Sequence, residues 1–349
     1  MTVRILNCDV MDGLRQLPDE SVHCVVTSPP YWGLRDYGVD GQIGLEASPA
    51  EFVARMVEVF AEVRRVLRKD GTCWVNLGDT YHNADKWGGG GANTGKHTKA
   101  PDGDVASWKA VRRKWGKVPG LKPKDLVGIP WRVAFALQAD GWWLRQDVVW
   151  HKPNPMPESI TDRCTKAHEY VFLLTKSERY FYDTDAIREM RTSDEDAIGF
   201  RGGSYVGGEP GKRTTTGNKR VKVPGGWDRG EGGHGTIHRS GRTSAEYQEA
   251  QVKGGRNKRS VWTIATSPFP EAHFATFPPE LPEICIKAGC PKGGTVLDPF
   301  GGAGTTGLVA DRLQRHAILI ELNPEYASMA ERRINGDRGA LLNFLEAAE

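Results

Sequence analysis

Apolar positions in this chain come in short runs, and the spacing within each run predicts alternating strands and helices. Val3-Arg-Ile-Leu-Asn-Cys-Asp9 reads as a strand ending at Asp9, an aspartate placed to cap a short helix over 10–17. Val22, Val25 and Val26 predict a buried strand that Pro29 and Pro30 must end, because neither proline can donate to a ladder. Ser48-Pro49-x-Glu51 is a capping box with proline at the first helical position. Phe52, Met56, Val59, Phe60, Val63 and Leu67 follow at helical spacing, and Asp70-Gly71 is expected to stop that helix before a strand over 72–77. Such alternation predicts a parallel sheet with helices on its faces. A helix over 126–139 and strands over 142–150 and 168–175 continue the pattern, with a proline-rich extended loop over 151–157. The last ninety residues return to it: a helical face within 273–288, a strand over 295–300, a glycine-rich turn over 301–307 and a helix over 308–313. A strand over 317–321 comes next, then a helix opened by Asn323-Pro324 and running through Ile334.

Two stretches break this regularity. Residues 83–124 are rich in glycine and polar residues, and within them 96–124 carry nine Lys or Arg against two Asp. Residues 188–260 carry fifteen Lys or Arg against nine Asp or Glu, again among many glycines. Length without apolar periodicity marks either a functional loop or a solvated linker. The boundaries divide the chain into an N-terminal part over 1–187, an insertion over 188–260 and a C-terminal part over 261–349.

Composition narrows the class. No apolar run among the 349 residues approaches a membrane span, and the N-terminus lacks a basic-then-apolar signal, so a cytoplasmic protein is expected. Six cysteines without a C-x-x-C pair suggest neither a zinc site nor a disulfide framework. A net charge of +3 names no partner by itself.

Candidate chemistry gathers at two strand ends. After the strand at 22–27 come a hydroxyl (Ser28), the carbonyls of Pro29 and Pro30, and the rings of Tyr31 and Trp32. In open α/β sheets ligands bind beyond the carboxyl ends of strands. Carbonyl and hydroxyl oxygens there could accept from an amine while a ring stacks on the planar group carrying it. The second end is Asp298-Pro-Phe300-Gly-Gly302-x-Gly304-x-x-Gly307, whose glycines let a ligand approach the backbone. Glu321 follows the next strand, where an acid can hold a ribose. That spacing also suits a nicotinamide-dependent dehydrogenase. Asp298 ahead of the glycines, however, would meet a ligand amine rather than a pyrophosphate.

Together the two motifs resemble those of the DNA amino-methyltransferases that transfer a methyl group from S-adenosylmethionine, in the permuted subgroup named beta. Val26-Thr-Ser28-Pro29-Pro30-Tyr31 is similar to the family's catalytic motif in its cytosine-N4 form; adenine-N6 enzymes more often carry an acid at the Ser28 position. Asp298-Pro-Phe300-Gly-Gly302-x-Gly304 resembles the cofactor motif, and Phe274-Ala-Thr276-Phe277 the element covering the methionine end. The resemblance implies a Rossmann-like, seven-stranded, mostly parallel sheet, with the C-terminal part supplying its first two strands and residues 3–9 the third. It also implies that Asp9 contacts the adenine amino group, that Glu321 holds the ribose, and that no metal is needed.

The implied reaction is methylation of cytosine N4 in double-stranded DNA, with adenine N6 as the alternative; an inactive nucleic-acid-binding module is a further rival. Ser28 and the Pro29 carbonyl would accept from the target amine. Tyr31 would stack on the flipped base, its hydroxyl contributing little. Residues 188–260 would recognise the target, and Arg112, Arg113 and Lys114 would meet phosphate, with Trp108 and Trp115 packing within the same basic loop. Lys152, Asn154 and Arg163 resemble the family's DNA-facing segment. His168-Glu169 reads as structural. A cognate restriction endonuclease is a partner this class allows, and the oligomeric state stays open.

Overall fold

A computed structural model of the chain describes residues 1–33, 39–82, 118–189, 255–267 and 276–346. They form two compact units, one of Met1–Asp183 with Arg259–Glu349 and one of Thr184–Lys258. The first is built on a single sheet of β1 (Val3–Asn7), β2 (Val22–Thr27), β3 (Leu67–Leu77), β4 (Trp143–His151), β5 (His168–Thr175), β6 (Val261–Thr263), β7 (Thr295–Asp298) and β8 (His316–Glu321). Their order across the sheet is β1-β8-β7-β2-β3-β5-β4-β6. Pairing is parallel except where β5 runs antiparallel between β3 and β4. The C-terminal strands β7 and β8 thus lie between β1 and β2, the permuted arrangement the motif order implied.

Eight strands stand where seven were expected. The extra one, β6, has three residues and pairs parallel to the end of β4, Val149 opposite Val261 through His151 opposite Thr263. Only Trp262 of its residues is buried, so a three-residue edge strand leaves no periodicity to read.

Helices α1 (Val10–Arg15), α2 (Pro49–Val66), α3 (Ile129–Ala139), α4 (Glu280–Gly289), α5 (Thr305–Arg312) and α6 (Pro324–Glu346) accompany the sheet. Ser48 caps α2 by accepting from Glu51 N at 3.2 Å, while Glu51 reaches back to Ala47 N at 3.0 Å. Phe52, Met56, Val59, Phe60 and Val63 of α2 are fully buried, each worth about 1.5–3 kcal/mol of burial. The expected stop at Asp70-Gly71 is not where α2 ends. Leu67 is already extended and pairs with Val22, and the register then jumps to Cys24 opposite Thr72, so Arg68–Gly71 bulge out of β3. A buried strand position for Leu67 outweighs another helical turn. At the other end, α6 runs past Ile334 to Glu346 despite Gly336 and Gly339, residues that weaken helices.

In the second unit, Asp185–Ile187 form a 3-10 turn and Glu189 bridges Arg256, each N–H donating to the other's carbonyl at 2.9 Å. Arg256 and Lys258 both pair with the Glu189 carboxylate, at 3.1 and 3.8 Å. The two ends of the basic stretch are therefore tied together. No helix among the described residues is long and apolar enough to cross a membrane.

Candidate active site

Parallel strands present their C-terminal ends on one side of the sheet, and four of those ends open onto one cavity of about 1110 Å³. Asp9 follows β1, Ser28-Pro29-Pro30-Tyr31 follows β2, Asp298 ends β7 and leads to Phe300, and Glu321 ends β8; all line the cavity. Thr276, Phe277 and Gly302 line it as well. Phe274 lies outside the described residues. Gly304 is not among the lining residues: its φ of +76° opens α5, and a Cβ there would stand 2.7 Å from that of Ala330 on α6. This glycine permits a close helix approach.

Asp298 is buried between two strands. Its Oδ1 accepts from Thr27 Oγ1 at 2.6 Å and from Phe300 N at 3.1 Å, and its Oδ2 from Thr306 Oγ1 at 2.7 Å. Burial pushes its carboxyl up to about 7 in spite of these bonds. A cation placed beside it would favour the ionised form and expel a proton. We therefore expect binding of a cationic cofactor near pH 7 to release a fraction of a proton, and affinity to weaken as pH falls below 7. Calorimetry in buffers of different ionisation enthalpy measures this; no proton release would detach Asp298 from the ligand.

Glu321 is held by backbone amides, accepting from Gly302 N at 2.7 Å and from Asn323 N at 2.8 Å. Asn7 Nδ2 donates to the Glu321 and Leu322 carbonyls and ties this corner to β1. Burial raises the Glu321 carboxyl as well. Gly302 has φ +49°, and a Cβ there would meet nothing nearer than Phe300 O at 4.0 Å. Open space over a left-handed glycine bonded to Glu321, in a cavity that Asp298 also lines, fits a ligand carrying an amine and a ribose. Asp9 caps α1 by accepting from Met11 N at 2.8 Å and lines the cavity too.

Sheet register assembles the catalytic side. Thr27 is opposite Val75, which puts Ser28 beside Asn76; Asn76 is opposite Val171, which makes Glu169 its diagonal neighbour on the same face. Across β5, Glu169 is opposite Trp150, so Lys152 is the next residue on that face. Tyr31 Oη donates to Glu169 Oε2 at 2.7 Å, and Asn76 Nδ2 donates to Tyr31 Oη at 2.8 Å and to Glu169 Oε2 at 3.0 Å. Ser28 Oγ stands 3.4 Å from both Tyr31 Oη and Asn76 Nδ2. Lys152 forms an ion pair with Glu169 Oε1 and lies over the Trp150 ring. Burial by itself would raise the Glu169 carboxyl, but the Lys152 ammonium and the bonds from Lys152, Tyr31 and Asn76 hold it below its ordinary value.

Three expectations change here. The Tyr31 hydroxyl is not a bystander, since it joins Ser28 to Glu169; its ring packs on Gly78, where a Cβ would come within 2.5 Å of it. Glu169 belongs to the site rather than to the strand alone. Trp32 is core: it is buried and donates to Glu46 O at 3.0 Å.

The residues expected to face DNA are engaged by the protein. Lys152 pairs with Glu169, Asn154 exchanges bonds with Thr266 at 2.9 and 3.2 Å, and Arg163 pairs with Glu158 at 2.9 Å while covering the Tyr81 ring. Of these only Arg163 lines the cavity. Arg112, Arg113, Lys114, Trp108 and Trp115 lie outside the described residues.

Asn76, Asp79 and Lys166 are site residues that the sequence reading did not single out. Asp79 lines the cavity and accepts from Gly128 N and Ile129 N, capping α3 from outside the helix. Lys166 lines it too, donates to Asp79 O at 3.2 Å, and is lowered by burial. Asn76 had a signal: it is the one amide in the otherwise apolar run Cys73–Leu77.

Sheet order and strand-end chemistry define an α/β methyltransferase fold. Residues 22–332 match the family model for DNA methylases, N6_N4_Mtase. The chain is 44% identical to type II methyltransferase M.Cfr9I of Citrobacter freundii over 94% of its length and 86% of that protein's. It is 43% identical to M.XycI of Xanthomonas campestris pv. cyanopsidis over 97% and 90%. Among solved structures it resembles PvuII DNA methyltransferase (cytosine-N4-specific), with a TM-score of 0.56 and 20% identity over 98% of this chain and 93% of that one. It also resembles a putative DNA modification methylase from Thermus thermophilus complexed with S-adenosyl-L-methionine, with a TM-score of 0.54 and 21% identity over 96% and 94%. The chain belongs to the DNA methylase family, which removes the dehydrogenase alternative.

Proposed function

We infer that the chain transfers a methyl group from S-adenosylmethionine to the exocyclic N4 of cytosine in double-stranded DNA. The observation that carries the choice of base is Ser28, a hydroxyl rather than an acid at the end of β2, held beside Asn76 and Tyr31. The PvuII enzyme, named as cytosine-N4-specific, shares the fold and adds support.

S-adenosylmethionine supplies a methyl group already activated on a sulfonium. Asp298 would face its ammonium, Glu321 its ribose, and Asp9 its adenine amine, with Gly302 and Phe277 closing around it. A cavity of about 1110 Å³ lies above the range of about 300–1,000 Å³ that holds one drug-sized ligand, leaving room for a flipped base as well. The exocyclic amine shares its lone pair with the ring and is a weak nucleophile. Accepting its N–H bonds through Ser28 Oγ and the Pro29 carbonyl returns density to nitrogen and aims it, so catalysis is mainly orientation and electrostatics.

Residues 188–260, which largely coincide with the second unit, are the target-recognition insertion in this reading, and Arg112, Arg113 and Lys114 add phosphate contacts. Both named relatives are type II methyltransferases, so a cognate restriction endonuclease belongs to the same reading. Expression in a host without DNA methylation, followed by sequencing that separates N4-methylcytosine from N6-methyladenine, tests it. N4-methylcytosine at one short motif is expected; N6-methyladenine would overturn the choice of base, and no methylation the reading as a whole.

A further inference from the structure

The polar row behind Ser28 has a direction. Glu169 is ionised and accepts at both oxygens, from Lys152 at Oε1 and from Tyr31 Oη at Oε2. Tyr31 has a single hydroxyl proton, and with that proton given to Glu169 its oxygen can only accept from its other neighbours. It accepts from Asn76 Nδ2 at 2.8 Å and from Ser28 Oγ at 3.4 Å. The Ser28 proton is therefore drawn toward Tyr31, and the lone pairs of Oγ stay available as acceptors. The 3.4 Å contact is long for an O–H···O bond, as catalytic hydrogen bonds often are before substrate binds.

Asn76 bears on the same point. Its Nδ2 is shared among Tyr31, Glu169 and Ser28, while its buried Oδ1 has no hydrogen-bond partner among the described residues. An orphaned buried carbonyl is costly, because it has given up water without gaining a donor. Turning the amide over would set that oxygen 3.0 Å from the Glu169 carboxylate and repel it. A purely structural network has no reason to carry this cost; one that must present donors to Tyr31 and Glu169 does.

We propose that Glu169, acting through Tyr31, holds Ser28 as a hydrogen-bond acceptor for the target amine and takes up the proton that the amine loses on methylation. This rests on Ser28 meeting the target amine. The balance is simple. The amine nitrogen forms a bond to the methyl carbon as the carbon–sulfur bond breaks and its electron pair stays on sulfur. The nitrogen, now cationic, gives a proton to Ser28 Oγ, Ser28 gives its own to Tyr31 Oη, and Tyr31 gives its own to Glu169 Oε2. The sulfonium and carboxylate charges both disappear, leaving the methylated base and a neutral Glu169. A carboxylate held low by Lys152 remains a far stronger base than an amine conjugated with its ring. Ser28 is the catalytic residue in this scheme; Tyr31 and Glu169 position it and relay the proton.

Tyr31→Phe keeps the ring on Gly78 and removes only the relay. Single-turnover methyl transfer, with DNA and S-adenosylmethionine saturating, should fall about a hundredfold, at the low end of general acid–base effects. Glu169→Gln should fall by a similar factor, and the double variant no further than the worse single one, because both break one chain. Cofactor affinity by calorimetry and base flipping, read from 2-aminopurine fluorescence beside the target, should match wild type in Tyr31→Phe. Transfer within twofold of wild type in Tyr31→Phe or in a folded Glu169→Gln protein would overturn the relay, as would losses that multiply in the double variant. If Glu169→Gln fails to fold, Tyr31→Phe decides alone. Wild-type protein that transfers no methyl group to DNA would fail the proposed function instead, and methylation of adenine N6 would leave the relay testable on that amine.

Discussion

Asp298→Asn is expected to fold and to lose about a hundredfold in S-adenosylmethionine affinity, equivalent to about 2.7 kcal/mol. A carboxylate offers roughly four acceptor sites. Thr27, Thr306 and Phe300 N take three of them, which leaves one for a ligand ammonium. Removing the charge from such a desolvated pair costs about 2–5 kcal/mol. The fold should tolerate asparagine, because the two threonine hydroxyls can rotate and one amide oxygen remains. The pH sign supports this. Burial raises Asp298 to about 7 in the folded chain, so its ionised form opposes folding, and stability falls as pH rises from the unfolded value toward 7. Asparagine carries no such cost above pH 7. Asp298→Ala is the poorer variant, since it would leave the buried Thr27 hydroxyl and the Phe300 amide without their acceptor, while Thr306 Oγ1 keeps only the Val26 carbonyl at 3.3 Å. Calorimetry on folded Asp298→Asn decides: unchanged affinity would reduce Asp298 to a bracket between β2 and β7.

Ser28→Ala should produce the complementary result, with cofactor affinity near wild type and methyl transfer lower by about 10²–10³, the usual effect of deleting one oriented polar group at a reacting centre. Ser28 is separated from the Asp298 contacts by the buried Thr27, so the methionine end of the site should not register the change. The acceptor toward the amine and the first member of the relay are lost, and Tyr31 Oη loses one of its two donors without becoming unsatisfied, because Asn76 still donates to it. The effect should therefore sit in turnover and not in melting temperature. Rapid-quench transfer at saturating DNA, with thermal melting of the same protein, separates these outcomes. Full turnover in a folded Ser28→Ala protein would remove Ser28 from the chemistry and leave the Pro29 carbonyl as the sole acceptor there.

Local signals were sufficient where covalent neighbours decide the structure. Pro29-Pro30 had to end a strand, Ser48-Pro49-x-Glu51 had to begin a helix, and a glycine turn between the β7 aspartate and α5 had to come close to a ligand. Motif order alone implied the permuted sheet, because β7 and β8 carry the cofactor residues yet follow the catalytic turn in the chain. Register was not legible. Whether Glu169 is a strand-edge acid or part of the active site depends on Asn76 falling opposite Val171, and a one-residue slip would turn it to the other face. Lys152 was placed toward DNA because its proline-rich loop resembles the family's DNA-facing segment; only pairing of β4 with β5 brought it onto the Glu169 carboxylate. The same holds for Tyr31, whose ring could be read as a stacking surface but whose hydroxyl found its partner 138 residues away. Sequence by itself thus determined the strand-end motifs and their chemical class, since turns and caps are set by neighbours along the chain. Tertiary structure decided which polar groups meet across four strands, because hydrogen-bond partners are chosen by sheet register, which no local pattern encodes.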